Sequence, residues 1–489
     1  MNNSIKVLFA TAELNPIAKV GGLADVAGAL PPILHELGVD IRVVMPKYGI
    51  IDENKYPCKK IHSDIDVTID NNTEKIDIYE TKIPDTEVIV YLIDNHKYLG
   101  QNGVYFDKTA FVDSIGEVHR FLFFSKAILP IFSSLNWYPD VLHCQDWHVG
   151  ILPALLNLEE TKQPELEKIK TLFTVHNLAN QGSWEKSEIL DFLGLSDDNI
   201  PSLAVNPKDI NLIQQGIMNA DLINTVSRTY AKEILTPEYG EGLEGDLAKR
   251  KDVLFGIVNG IDQKRFNPST DPDIAANFSL QNIDQKMVNK KDIQKICGLK
   301  VDEKIPLLGI ITRLTNQKGI ELVADSAETI VKAGGQLILL GTGADNYEKM
   351  MTELQAKYPE NVHAHIAFDA VLAQKIYAGS DVFLMPSRFE PCGLGQLIAM
   401  RYGTLPIVRA TGGLKDTVPD YNPDDHTGTG FVFDEYTSAS FVKSVKRALD
   451  VYKNDPDNWN KLVKSALEYD SSWDTAAKEY LELYKKLIK

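Results

Sequence analysis

Lysine or arginine stands beside glycine, at the end of a short apolar run, in three places along this 489-residue chain. The first is Lys19-Val-Gly-Gly-Leu-Ala-Asp25, which follows the run at 5–11. Glycines such as Gly21 and Gly22 let backbone N–H groups approach an anion, a following helix offers its positive end, and Lys19 adds a full charge. A glycine-rich turn with a solvated lysine is the competing reading. The second is Thr312-Arg-Leu-Thr-Asn-Gln-Lys-Gly319, after the run 307–311. Arg313 and Lys318 could converge there on a diphosphate, Arg by its fork and Lys as a compact charge. The third, Ser387-Arg-Phe-Glu-Pro-Cys-Gly-Leu394, joins Glu390 to a helix start at Gly393 and Leu394. Glu390 could accept hydrogen bonds from sugar hydroxyls, or could simply be a carboxylate favoured by the helix dipole. Cys392 has no partnering base nearby in sequence and reads as packing, not as a nucleophile.

Histidines gather in His143-Cys-Gln-Asp-Trp-His148 and in Thr174-Val-His-Asn177. His143, Asp146, His148 and His176 match no zinc spacing, so a metal is not expected. A polar sugar-binding floor, with Trp147 as a stacking surface, is the preferred alternative. Gly341-Thr-Gly-Ala-Asp-Asn346 lacks the third glycine of a dinucleotide fingerprint. Asp64-x-Asp66 and Asp271-x-Asp273 read as solvated acids.

Such residues need a scaffold that gathers strand ends. Short apolar runs at 5–10, 40–45, 87–93, 141–143 and 171–174 alternate with amphipathic stretches at 24–37 and 116–133. The alternation resumes with runs at 307–311, 336–340, 381–385 and 406–408, and stretches at 320–333 and 394–402. This is the pattern of βαβ units and parallel sheets, an α/β class. A polar stretch after 254 marks a seam, so the expected domains are 1–254 and 255–470. The segment 471–489 opens with a Ser472/Asp474 cap signal and reads as a terminal helix, either ordinary or crossing back to the first domain. Gly21-Gly-Leu is echoed by Gly412-Gly-Leu, each at a strand's carboxyl end, where open α/β sheets place ligands.

Composition narrows the function classes. There are 51 Lys+Arg against 68 Asp+Glu, a formal charge of −17. An acidic balance argues against nucleic acid and anionic lipid as partners but leaves room for a small anion held locally. Four scattered cysteines form no C-x-x-C pair, which suits a reducing compartment. No run approaches the roughly 20 apolar residues of a membrane helix, and no signal core is evident, so a cytoplasmic location is expected.

Taken together and in order, the motifs resemble the bacterial glycogen synthase and plant starch synthase family. They are Lys19-Val-Gly-Gly-Leu-Ala-Asp-Val, Cys144-Gln-Asp-Trp-His, Thr174-Val-His-Asn-Leu, Thr225-Val-Ser-Arg-Thr-Tyr-Ala, Thr236-Pro-Glu-Tyr-Gly-Glu-Gly-Leu, Val258-Asn-Gly-Ile-Asp, the Thr312 and Ser387 loops, and Thr411-Gly-Gly-Leu. They cover essentially the whole chain. The resemblance implies a GT-B fold, two Rossmann-like domains facing each other across a deep cleft. It also implies retaining transfer of glucose from ADP-glucose to the non-reducing end of glycogen or malto-oligosaccharides, with no cofactor or catalytic metal.

By the same resemblance Lys19, Gly21, Gly22 and Asp25 serve the donor from the first domain. Asn259, Arg313, Lys318, Glu390, Gly393, Leu394, Thr411, Gly412 and Gly413 serve it from the second. His176, Asp146, Tyr105, Trp147 and Asn177 belong near the glucosyl group and acceptor. Glu390, Lys318, Arg313 and His176 are the expected catalytic set. One departure is Asn180, where the family commonly has tyrosine, which bears on loop packing or acceptor contacts. Two other readings are a GT-B transferase making sucrose or another glycan, and a silent polysaccharide-binding protein. The first is not expected to carry the Lys19-x-Gly-Gly-Leu start, and the second has no need of Lys19, Lys318 and Glu390 together.

Overall fold

Val7 and Phe9 point to one side of the first strand and Leu8 and Ala10 to the other, and all four are buried. A strand covered on both faces shows a continuous apolar run, which is why 5–10 reads that way. The structure is a computed structural model that describes residues 4–70, 72–100, 102–105, 116–158, 164–196, 198 and 208–489. These fall into two units, Met1–Asn259 with Trp473–Lys489, and Gly260–Ser472.

The first unit contains β1 (Lys6–Ala10), β2 (Asp40–Pro46), β3 (Lys59–Ile69), β4 (Asn72–Lys82), β5 (Ile89–Asp94), β6 (Val141–Gln145), β7 (Lys170–Val175), the short pair β8 (Ser183–Glu185) and β9 (Asp209–Asn211), β10 (Leu222–Thr225) and β11 (Leu254–Gly256). Nine of these make one sheet in the order β11-β10-β7-β6-β1-β2-β5-β4-β3. It is parallel from β11 to β5, and β4 and β3 extend it antiparallel. One face packs on helix Gly22–Glu36 and the C-terminal helix Asp474–Leu487, through Leu30, Leu34, Tyr480 and Tyr484. The other packs on helix Glu117–Ile128, through Phe121 and Phe124.

The second unit contains β12 (Leu307–Ile311), β13 (Gln336–Leu340), β14 (Val362–His365), β15 (Val382–Met385), β16 (Leu405–Arg409) and β17 (Phe431–Phe433). All six pair parallel, in the order β14-β13-β12-β15-β16-β17. Helices such as Ile320–Lys332 and Ala370–Gly379 connect them.

Four differences from the sequence reading have local causes. Strand β11 pairs with β10 in the first sheet, so the boundary expected at 254 moves to 259, and the later one from 470 to 472. The single helix expected over 116–133 is two, Glu117–Ile128 and Ile131–Leu135, because Pro130 lacks the amide proton that would continue the ladder. The β3/β4 hairpin is a polar, largely exposed edge, without the apolar run that marks a buried strand. Asp271 is not solvated: its carboxylate is buried and accepts from the Tyr402 hydroxyl at 2.5 Å and the Gln374 amide at 3.1 Å.

Candidate functional site

The order of each sheet decides where ligands can enter it. In the second unit the chain leaves β12 for β13 and β14 on one side, then returns to β15 on the other. In the first it leaves β1 for β2 and the far edge, then returns to β6. A crevice opens at the carboxyl ends where the direction reverses. Arg313 and Lys318 follow β12 and Glu390 follows β15; Lys19 follows β1 and Asp146 follows β6. The motifs thus stand at the two topological switch points.

In the second unit Lys318 Nζ lies 2.6 Å from Glu390 Oε2, and the Ser387 hydroxyl donates to the same oxygen at 3.0 Å. The two ionic side chains are 16% and 8% exposed. The loop holding Glu390 is clamped from β16. The Gly413 amide donates to the carbonyls of Glu390 and Pro391, each at 3.1 Å. A Cβ on Gly412 would lie 1.9 Å from the Glu390 carbonyl, and its φ is +46°, so only glycine permits this approach. Gly412 and Gly413 therefore position Glu390, and the Gly413 amide, expected at the donor, is already spent on main chain. By contrast the amides of Gly393 and Leu394 meet no acceptor among the described residues. Arg313 is exposed and forms no ion pair with a described residue. Thr411 and Asn259 are buried, and Asn259 Oδ1 has no partner among the described residues.

In the first unit the exposed Lys19 pairs with Asp25 at 2.5 Å. The organising group is one the sequence reading passed over. Glu13 is buried, and its Oε2 accepts from the amides of Val20 at 2.8 Å and Gly21 at 2.7 Å. Its Oε1 accepts from the Tyr105 hydroxyl at 2.6 Å. The Gly21 amide, expected to meet a phosphate, is thus held by an internal carboxylate, whereas a Cβ on Gly22 would meet open space. The signal was present in Ala12-Glu13-Leu14, a charge in an otherwise apolar strand exit.

Asp146 has φ +62° and ψ −176°, a region almost confined to glycine and strained for any other residue. Its carboxyl is buried with Oδ1 unpartnered among the described residues. Burial, opposed by the amides of Trp147 and His176, pushes it up to about 8. His176 is half-buried, and Gln145 Oε1 lies 2.9 Å from its Nε2. That oxygen can only accept, so the proton is on Nε2 and Nδ1 keeps its lone pair. Burial pushes the imidazole down to about 4, so His176 acts as a neutral hydrogen-bonding group. His148 is buried with neither ring nitrogen partnered among the described residues. Asn177 turns the loop by accepting from the Ala179 amide.

Trp147 corrects an expectation. Its ring is 8% exposed, lies edge-on to Phe121 at 5.2 Å, and is covered by Gly182, whose Cβ would fall 2.3 Å away. It is core and offers no open stacking face. A strongly exposed aromatic lies elsewhere: Phe368, 91% exposed, stands after β14, just before the Asp369 cap of helix Ala370–Gly379. Among the described residues no group of three or more His, Cys, Asp or Glu is arranged to hold a metal ion.

Two doubly wound α/β units, with glycine turns and paired ionic groups at their switch points, are the architecture of the GT-B class of glycosyltransferases. The comparisons agree. Residues 6–249 match the starch synthase catalytic domain model, and 292–465 match glycosyl transferases group 1. A glycogen synthase of Thermosipho melanesiensis is 44% identical over 486 residues, 99% of each chain. One of Clostridium perfringens is 43% identical over 486 residues, again 99% of each. The catalytic domain of starch synthase IV from Arabidopsis thaliana, bound to ADP and acarbose, superimposes with TM-score 0.89 at 31% identity, covering 99% of both chains. A sucrose-phosphate synthase from Thermosynechococcus elongatus shares the fold, with TM-score 0.60 at 17% identity and 99% of both chains covered. The chain belongs to the glycogen and starch synthase family of hexosyltransferases.

Proposed function

We propose that this protein elongates an α-1,4-glucan by transferring glucose from ADP-glucose to a non-reducing end with retention of configuration. The observation that carries the reading is the Lys318–Glu390 pair at 2.6 Å beside the second unit's switch point. A cation there meets the charge that grows on a departing diphosphate. A carboxylate whose other oxygen, Oε1, has no partner among the described residues is left to accept from sugar hydroxyls. Arg313 adds a second cation, and the Gly393 and Leu394 amides add donors where that charge develops. Lys19 supplies a further phosphate-binding charge. Phe368 offers its open face to the nucleobase. On the acceptor side Tyr105, Asp146, Asn177 and His176 supply hydrogen bonds to sugar, His176 through its Nδ1 lone pair.

In this account the anomeric C–O bond breaks as the acceptor hydroxyl attacks from the same face, and that hydroxyl's proton passes to the leaving phosphate oxygen. Glu390 is then a charge-stabilising acceptor, not a nucleophile. The chemistry uses no resident cofactor or metal. Glycogen as acceptor and a cytoplasmic location follow from the same reading; no described helix is long and apolar enough to cross a membrane.

Radiolabelled ADP-glucose with malto-oligosaccharide tests the proposal. Products lengthened by single α-1,4-linked glucose units are expected. Binding of the oligosaccharide without transfer would instead establish the silent polysaccharide-binding reading.

A further inference from the structure

We infer that the C-terminal helix Asp474–Leu487 is a positioning element of the first unit's site, acting on Asp146 and His176 through a buried hydrogen-bond chain. The chain joins Tyr484, His143, Thr174, Asn224 and Tyr480, all of them buried. Tyr484 Oη lies 2.8 Å from His143 Nδ1, and His143 Nε2 lies 2.6 Å from Thr174 Oγ1. Thr174 Oγ1 donates to Asn224 Oδ1 at 2.6 Å, and Asn224 Nδ2 donates to Tyr480 Oη at 2.9 Å.

Donor and acceptor chemistry fixes the direction of this chain. Asn224 spends an N–H on Tyr480, so its oxygen faces Thr174, and an amide oxygen only accepts. Thr174 has a single proton and gives it there, so its oxygen must accept from His143. The imidazole proton is therefore on Nε2, and Nδ1 must accept from the Tyr484 hydroxyl. Every link is satisfied by one arrangement with a neutral imidazole. Burial, which pushes His143 well below the usual histidine range, agrees with that state.

The chain crosses β6, β7 and β10 just beneath the ends that carry the site. His143 stands three residues before Asp146 on the strand exit. The Thr174 carbonyl accepts the Asp146 amide at 2.9 Å, and Thr174 is two residues before His176. Thr225, next to Asn224, donates its hydroxyl to the Val175 carbonyl at 2.7 Å. Gln145 and His176 close the upper rung. The strained backbone of Asp146 persists only if its surroundings over-determine it, and these cross-strand bonds are those surroundings. Docking of the helix alone does not require them. Ala476, Ala477 and Leu483 already bury its apolar face, and phenylalanine at 480 and 484 would serve as well. Two buried tyrosine hydroxyls, one on the His143 imidazole and one on the Asn224 amide, are worthwhile only as a fully satisfied network that specifies strand geometry.

Tyr484→Phe tests this, because it keeps the ring and leaves His143 Nδ1 without a donor. The inference rests on Asp146 and His176 being acceptor-side groups. Expected are a kcat lowered about 5- to 150-fold, the scale of one unsatisfied buried polar group, and a malto-oligosaccharide KM raised several-fold. The ADP-glucose KM and the calorimetric affinity for ADP should stay within about twofold of wild type. Tyr480→Phe breaks the other end and should give the same split. Leu483→Ala removes packing from the same helix, and should lower Tm while leaving kcat per folded molecule unchanged. Wild-type kcat and acceptor KM in both tyrosine variants would overturn the inference, as would the same split in Leu483→Ala. If the acceptor-side reading itself were wrong, Asp146→Ala and His176→Ala would keep a wild-type acceptor KM, which separates the two failures.

Discussion

Replacing Glu390 by glutamine changes little volume and removes one charge, so its cost can be worked from the site. The carboxylate is 8% exposed and its partner Lys318 16%. Stranding one member of a buried pair costs about 3–5 kcal/mol. Here glutamine still offers one acceptor oxygen, and Lys318 keeps some contact with water. A cost of about 1.5–3 kcal/mol is therefore expected, the scale of one hydrogen bond to a charged group. For a unit of this size that lowers Tm by roughly 3–12 °C, well short of unfolding a domain stable by about 5–15 kcal/mol. The catalytic loss is larger. A missing preorganised electrostatic contact lowers kcat by about 10²–10³, or roughly 2.7–4 kcal/mol of barrier. Lys318→Ala should fall in the same range, with kcat lowered far more than the donor KM is raised. Because the two side chains act on one charge, the double variant should be little slower than the worse single one. Steady-state glucose transfer beside thermal melts of all four proteins measures this. A Glu390→Gln enzyme within tenfold of wild-type kcat would refute the reasoning, as would strictly multiplicative losses in the double variant.

Other consequences follow from the neighbouring groups. Glu13→Ala frees the Val20 and Gly21 amides and the Tyr105 hydroxyl at once, and should lower kcat by at least about tenfold. Glu13→Gln can keep the amide bonds and should recover most of that activity; equal loss in both would assign the effect to charge instead. Asp146 keeps its proton in the native state up to about 8, whereas the unfolded chain releases it near about 3.9. The native state thus binds more protons across that window, and stability falls as pH rises through it. Asp146→Asn should remove this slope, so melts from pH 5 to 8 should show its Tm gaining on wild type as pH rises, while transfer is impaired. Phe368→Ala should raise the ADP-glucose KM about 5- to 150-fold, since stacking on an aromatic face contributes about 1–3 kcal/mol per base. Phe368→Trp should bind ADP at least as well as wild type, by calorimetry.

The parallel strands were legible because burial on both faces leaves an apolar run: 307–311 and 336–340 coincide with β12 and β13 residue for residue. The hairpin Lys59–Lys82 was not, because an exposed edge carries no such run. Among candidate site groups, Lys318 and Glu390 stood out through their loops at strand ends. Their pairing with one another was not, since nothing local reports a contact across 72 residues. Glu13 was missed because its partners are backbone amides, which leave no mark on residue type. Trp147 was misassigned for a similar reason: whether an indole is core or platform depends on Gly182 lying across it, and that is tertiary information. The network from Tyr484 to His143 spans 341 residues, so only the fold reveals it.

As proposed above, this chain is a glucosyltransferase using the Lys318–Glu390 site on ADP-glucose. Radiolabelled glucose transfer to glycogen, measured from ADP-glucose and from UDP-glucose at equal concentration with wild type and Lys318→Ala side by side, tests it most directly. Wild-type transfer should be faster from ADP-glucose, into α-1,4 linkage, with the variant slower by about 10²–10³. No transfer from either donor, or a Lys318→Ala enzyme as fast as wild type, would contradict it.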